Sequence, residues 1–220
     1  MNILPNGVAV IDGDTHHGVW CRDEGLVHDK FMAGILTGII ERYKVKEAID
    51  GGGNVGTLTR VMLDMGVRVH AFEPNPEAVE CLKHNCPEAK IYQAGLGRCG
   101  ARMRLVRLPN AGASFVEPAT HIPLGSGVQI MPLDLYCICP GLIKLDVEGF
   151  EVQAILGGRN MIKKFRPVIV AEVNKEALKR AGNSDQELYD TLHGLDYAFR
   201  ILQPDCQFGD PQFDIIATPL

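Results

Sequence analysis

The sequence predicts an α/β fold, a mostly parallel sheet with helices on both faces and an antiparallel hairpin at its carboxyl-terminal edge. Three observations carry this. From Lys46 onward, short β-rich runs alternate with helical patterns, as βα units do. A glycine-rich turn, "DGGGNVG" at residues 50 to 56, separates the first such strand from the first such helix. The last two strand-like runs, "YAFRILQ" and "FDIIATP", are joined by "PDCQFGDPQ", which is too short for a crossover helix of ordinary length.

Taken in order, Phe31, Ile35, Leu36, Ile39, Ile40 and Tyr43 recur at helical spacing, so residues 29 to 43 form a helix whose apolar stripe lies on the sheet. Five core strands follow. "KEAIDG" leads into an amphipathic helix over residues 56–65, and "VRVHAFEP" leads into one over 76–84. "KIYQAGLG" comes third; "GLIKLDVEG" precedes a helix over 150–156, and "RPVIVAEV" leads toward one over 185–195. Residues 98–133 break this rhythm, because "LPNAGASF" and "IPLGSG" are turn-rich between the strand-like "RMRLVRL" and "VQIMPL". This insertion is either a substrate-shaping segment or an elaborated hairpin with no ligand. Arg102, Arg104 and Arg107 within it suit an anionic acceptor, but an edge strand protected by charge is the favoured reading.

The 220 residues suit one domain, with residues 1–45 as an amino-terminal segment and helix. A net charge of −5 argues against a nucleic-acid partner, since phosphate binding asks for a basic surface. No apolar run is long enough to cross a bilayer, and "MNILPNGVAVIDGDTHH" interrupts its apolar stretch with Asn6, Asp12 and Asp14, so neither a membrane span nor a signal peptide is expected. Seven cysteines, an odd number, fit a reduced cytoplasmic chain better than a disulfide scaffold. Cys137 and Cys139 form a C-x-C pair open to a redox or metal reading.

The glycine turn falls at the carboxyl edge of the sheet, where doubly wound folds bind ligands. Gly52 and Gly56 remove side chains where a ligand would meet backbone, Asn54 tolerates a positive φ, and the helix that follows offers unpaired N–H groups to a carboxylate or phosphate. Gly51, Gly53 and Gly56 can be forced into the dinucleotide pattern G-x-G-x-x-G, but that frame is the poorer one. The alternative frame starts with Asp50, an acid suited to a ligand with an amino group. Glu73, at the tip of the second strand, is placed to accept hydrogen bonds from two ribose hydroxyls, which nicotinamide and adenosyl ligands both carry. Its other reading is a helix cap or a solvated acid.

Four segments, "IDGGGNVGTLT", "VHAFEPNPEAV", "IKLDVEGFEVQAILGG" and "RPVIVAEV", together resemble the FkbM family of S-adenosylmethionine-dependent methyltransferases, over roughly residues 46–175. The resemblance implies a Rossmann-like class I methyltransferase fold, with a seven-stranded sheet and a reversed last strand. It implies that Asp50, Gly52, Asn54 and Gly56 surround the methionine portion of S-adenosylmethionine, with Thr59 a weaker candidate for its carboxylate. Glu73 would hold the ribose, Pro74 and Asn75 would flank the adenine, and the backbone of Gly95 and Leu96 would approach that base.

Methyl transfer from a sulfonium needs close alignment of acceptor and methyl, and help with deprotonation when the acceptor is a hydroxyl. Asp146 and Glu148 in "KLDVEG" are expected on one side of an extended chain near the methyl position, as proton acceptors or as joint ligands of a divalent cation. Glu172 at the next strand tip would complete an acidic cluster. The competing reading has Glu148 capping the next helix and Asp146 pairing with Lys144. His16, His17 and His121 are candidate bases, and "GDTHHGVW", with Asp14 and Trp20, is a segment that can fold over the cofactor. The favoured function, O-methylation of a sugar or small natural product, is what the resemblance to the FkbM family implies. The alternatives are an NAD(P)-dependent oxidoreductase and a non-catalytic cofactor-binding module.

Overall fold

A computed structural model describes residues 1–119, 121–122 and 127–220, so Thr120, the centre of "IPLGSG" and the side chains of His17 and Ala111 lie outside the described residues. Two helices precede the main sheet, α1 (His17–Glu24) and α2 (Lys30–Tyr43). Helix α2 starts where the Asp29 carboxylate accepts a hydrogen bond from the Met32 N–H at 2.9 Å, and ends where Lys44 turns left-handed. It buries Met32, Leu36, Ile39 and Ile40. Phe31 and Tyr43, assigned to the same stripe, sit in its first and last turns and remain exposed.

The βα units then run β1 (Glu47–Gly51), α3 (Thr57–Asp64), β2 (Arg68–Phe72), α4 (Pro76–Asn85), β3 (Lys90–Tyr92). After the insertion come β4 (Leu142–Leu145), α5 (Glu151–Gly157), α6 (Arg159–Phe165), β5 (Val168–Asn174), α7 (Lys175–Arg180) and α8 (Asp185–His193). The chain closes with β6 (Tyr197–Ile201) and β7 (Gln212–Pro219). The sheet order is β6-β7-β5-β4-β1-β2-β3, parallel except that β7 runs antiparallel to both β5 and β6. The expected seven-stranded sheet with its terminal hairpin is therefore present. Helices α6 and α7, absent from the sequence reading, are single short pieces of seven and six residues.

Side-chain alternation divides the core between the two faces. Ile143 and Leu145 pack with residues of α5, α6 and α8. Leu142 faces the other way, with Leu36, Ile39 and Ile40 of α2 and Val61 and Met62 of α3. Lys144 shares that second face by the same alternation, and the parallel register sets it beside Asp50 of β1. The order reverses between β1 and β4, so the crevice at their carboxyl ends is the switch point of the fold.

Residues 98–133 are not irregular throughout. Ala101–Val106 pairs antiparallel with both Phe115–Glu117 and Val128–Met131, and the latter also pairs in parallel with Gly95–Leu96. Arg104 forms an ion pair with Glu117 across this small sheet, and Arg107 pairs with Glu77 of α4 at 2.8 Å. The seven cysteines are free thiols, and Cys137 and Cys139 are exposed. No described helix is long and apolar enough to cross a membrane.

Candidate active site at the switch point

A cavity of about 430 Å³ opens at the carboxyl edge of β1, β2 and β4. Gly52, Asn54, Glu73, Pro74, Asn75, Gly95 and Leu96 line it, together with Asp146, Glu148 and Glu172. Asn54 has φ 46, the positive value its position called for. Gly52 has φ 80, and a Cβ there would lie 1.8 Å from the Asp146 carbonyl oxygen, so its smallness lets the turn pack on the end of β4.

Three residues expected around the ligand are elsewhere. Asp50 is fully buried beneath the turn, where one carboxylate oxygen accepts the Thr59 hydroxyl at 2.5 Å and the other lies 3.4 Å from the Lys144 ammonium. Thr59 is thereby committed to Asp50. A Cβ on Gly56 would meet Cys86 and Leu82 of α4, so this glycine admits a helix rather than a ligand. The turn's N–H groups are also largely used. Those of Gly52 and Gly53 donate to the Phe72 carbonyl, that of Asn54 to Glu73 Oε2, and that of Gly56 to the Gly53 carbonyl.

Glu73 is 7% exposed, and its two oxygens each accept one backbone N–H, from Asn54 at 2.9 Å and Asn75 at 2.8 Å. Each oxygen keeps a further lone pair for a ligand. It does not cap α4; the Asn75 side chain does, by accepting from the Glu77 N–H. Burial raises the Glu73 pKa to about 7, against the two backbone hydrogen bonds and the Lys144 charge.

The family of the methyltransferase FkbM domain matches residues 50–201, more than half of the chain. The chain belongs to the FkbM methyltransferase family. A crystal structure of methyltransferase FkbM from Methylobacillus flagellatus KT resembles this FkbM chain with a TM-score of 0.53 at 17% identity, over 79% of this chain and 43% of that one. The chain thus spans less than half the length of that protein. Magnesium protoporphyrin IX methyltransferase from Synechocystis PCC 6803 with bound SAM gives a TM-score of 0.53 at 10% identity, over 90% of this chain and 83% of that one. An rRNA methylase from Streptococcus thermophilus gives 0.51 at 11% identity, over 84% and 95%. At these identities the likeness is one of fold. No curated protein matches the sequence.

In this FkbM domain Asp146 and Glu148 are not on an extended strand, because Glu148 has φ 54 and the chain turns there. Both nevertheless line the cavity. Glu151 shapes the turn by accepting from the N–H groups of Val147 and Gly149. Glu148 instead lies 3.5 Å from Arg180, while Asp146 is 3.5 Å from Lys144. Burial, with the neighbouring Asp146 charge, raises Glu148 to about 7. Burial and the charges of Asp146, Glu148 and Glu151 raise Glu172 to about 9, although Gln212 donates to it at 2.6 Å. Burial thus favours the protonated form of Glu172. Among the described residues no three acids, histidines or cysteines are grouped to hold a metal ion, and the nearby ammonium makes Asp146 a poorer cation ligand.

The amino-terminal segment singled out for Trp20 and the insertion also contribute to the cavity. Trp20 reaches it from α1, with its ring 5.0 Å from that of His28, while Asn110 and Ser114 reach it from the insertion. The Thr15 N–H and hydroxyl both donate to the Pro109 carbonyl, tying these two segments together. His16 and His121 do not line the cavity.

Proposed function

We propose that the chain is an S-adenosylmethionine-dependent methyltransferase acting on a hydroxyl of a sugar or small natural product. The observation that carries the reading is Glu73, a buried carboxylate at the β2 tip, fixed by two N–H groups and still able to accept two more hydrogen bonds. That is the acceptor pair a ribose diol requires. The bound SAM of the Synechocystis neighbour supports the same choice by analogy of fold. Gly52 and Asn54 would border the methionine portion, Pro74, Asn75, Gly95 and Leu96 the adenine. Residues 1–220 then serve one site as one domain, since Trp20 of the amino-terminal segment and Asn110 of the insertion reach the same cavity.

Bound S-adenosylmethionine supplies an electrophilic methyl group on its sulfonium sulfur. Asp146, anchored by Lys144, orients the acceptor hydroxyl. Glu148, raised to about 7, takes the proton that the hydroxyl loses as its oxygen bonds to carbon. Glu172, protonated, donates a hydrogen bond to a second acceptor oxygen. This acidic end and the net charge of −5 favour a small polar acceptor over a nucleic acid.

Calorimetric titration with S-adenosylmethionine, S-adenosylhomocysteine and NAD tests the cofactor. Binding of the two sulfur compounds and not NAD is expected, and binding of NAD alone overturns the reading. Transfer of labelled methyl to a panel of sugars and hydroxylated small molecules tests the reaction. Asp146→Asn is expected to remove most turnover while cofactor affinity stays within a few-fold.

A further inference from the structure

We propose that Lys144 is a positioning residue that couples the cofactor side of the crevice to the acceptor side. Its strand neighbours Leu142, Ile143 and Leu145 are fully buried apolar residues, and Lys144 itself is only 5% exposed. A lysine there must find carboxylates or carbonyls within reach. It finds three groups: the Gly52 carbonyl at 3.2 Å, Asp50 at 3.4 Å and Asp146 at 3.5 Å. The first belongs to the glycine turn, the second lies buried beneath it, and the third faces the acceptor.

One ammonium thus fixes the turn and the acceptor-side carboxylate together. Burial alone lowers the Lys144 pKa, but Asp50 and Asp146 more than offset this and raise it, so the charge persists throughout the working pH range. The backbone adds a second tie at the same place, since the Asp146 N–H donates to the Gly51 carbonyl at 3.0 Å. A purely structural lysine would serve only to neutralise Asp50. The coupling role is different, because it is lost with the ammonium even when Asp50 no longer needs neutralising.

The test compares Asp50→Asn, as reference, with Lys144→Met/Asp50→Asn, in which no buried carboxylate is left without its partner. Amide hydrogen exchange is read at residues 52–54 and 146–149. Protection at least tenfold lower at both segments in the double variant is expected. Unchanged protection at either segment overturns the coupling, including when the other changes. A second arm rests on the functional reading above: S-adenosylhomocysteine should bind the double variant at least tenfold more weakly than the reference, and equal affinity overturns the proposal. Should the wild-type chain bind no S-adenosylhomocysteine, the functional reading falls, while the exchange arm still decides the coupling.

Discussion

The two ends of the crevice solve opposite electrostatic problems. At the glycine turn, the N–H groups of Gly52, Gly53 and Asn54 and both oxygens of Glu73 already have partners, and the turn is locked to the tip of β2. Asp146, Glu148 and Glu172 line the same cavity and repel one another electrostatically, two of them with raised pKa values. Among the described residues, Glu172 Oε2 is buried with no hydrogen-bond partner. The first group is satisfied by hydrogen bonds; the second keeps a buried carboxylate oxygen without one, at a cost in stability. Lys144 sits between them.

The sharpest way to break this contrast is Lys144→Met alone. Leaving Asp50 buried and unpaired is expected to cost about 3–5 kcal/mol of folding stability, read by denaturant unfolding, and Asp50→Asn should recover most of it. Gly52→Val comes next. Its positive φ costs about 1–2 kcal/mol, and its Cβ would overlap the Asp146 carbonyl, so the turn must shift and S-adenosylhomocysteine binding should become undetectable by calorimetry.

Glu73→Gln weakens the same binding by about 1.5–3 kcal/mol, the usual worth of hydrogen bonds to a charged group. In the wild-type chain, affinity should climb as pH rises through about 7, because the ionised carboxylate is the better acceptor of two hydroxyls, and Glu73→Gln should abolish that climb. A further test reads the pH dependence of stability at Glu172. The Glu172 pKa is raised on folding, so the stability it contributes at low pH is lost as pH rises toward about 9. Glu172→Gln should therefore melt higher relative to wild type at pH about 9 than at pH about 6, as linkage requires. A constant difference in melting temperature would remove Glu172 from the crowded cluster.

Much of the cofactor side was legible because its signals are local. A strand, a turn needing small residues and an acid before Pro74 each follow from a few adjacent residues. The assignments that went astray depend on packing between distant segments. Gly56 faces Leu82 and Cys86 of α4, and nothing near Gly56 in the chain announces that contact. Thr59 and Asp50 satisfy each other under the turn rather than pointing to a ligand. The small sheet of the insertion joins Gly95–Leu96 to Val128–Met131, a pairing too remote in sequence for periodicity to reveal. Helices α6 and α7 were hidden by their brevity. Lys144 did leave a readable sign, since a charge in "LIKL", the centre of a buried parallel strand, asks for a buried partner.

The antiparallel entry of β7 has a consequence for how the protein is made. Register places Gln212 opposite Asn174 and Asp214 opposite Glu172, so the amide that steadies Glu172 comes from a strand made after β5, from a residue 40 positions further along the chain. The glycine turn and Glu73 emerge far earlier. A growing chain can therefore form the glycine turn and place Glu73 before the amide that bonds Glu172 has been made.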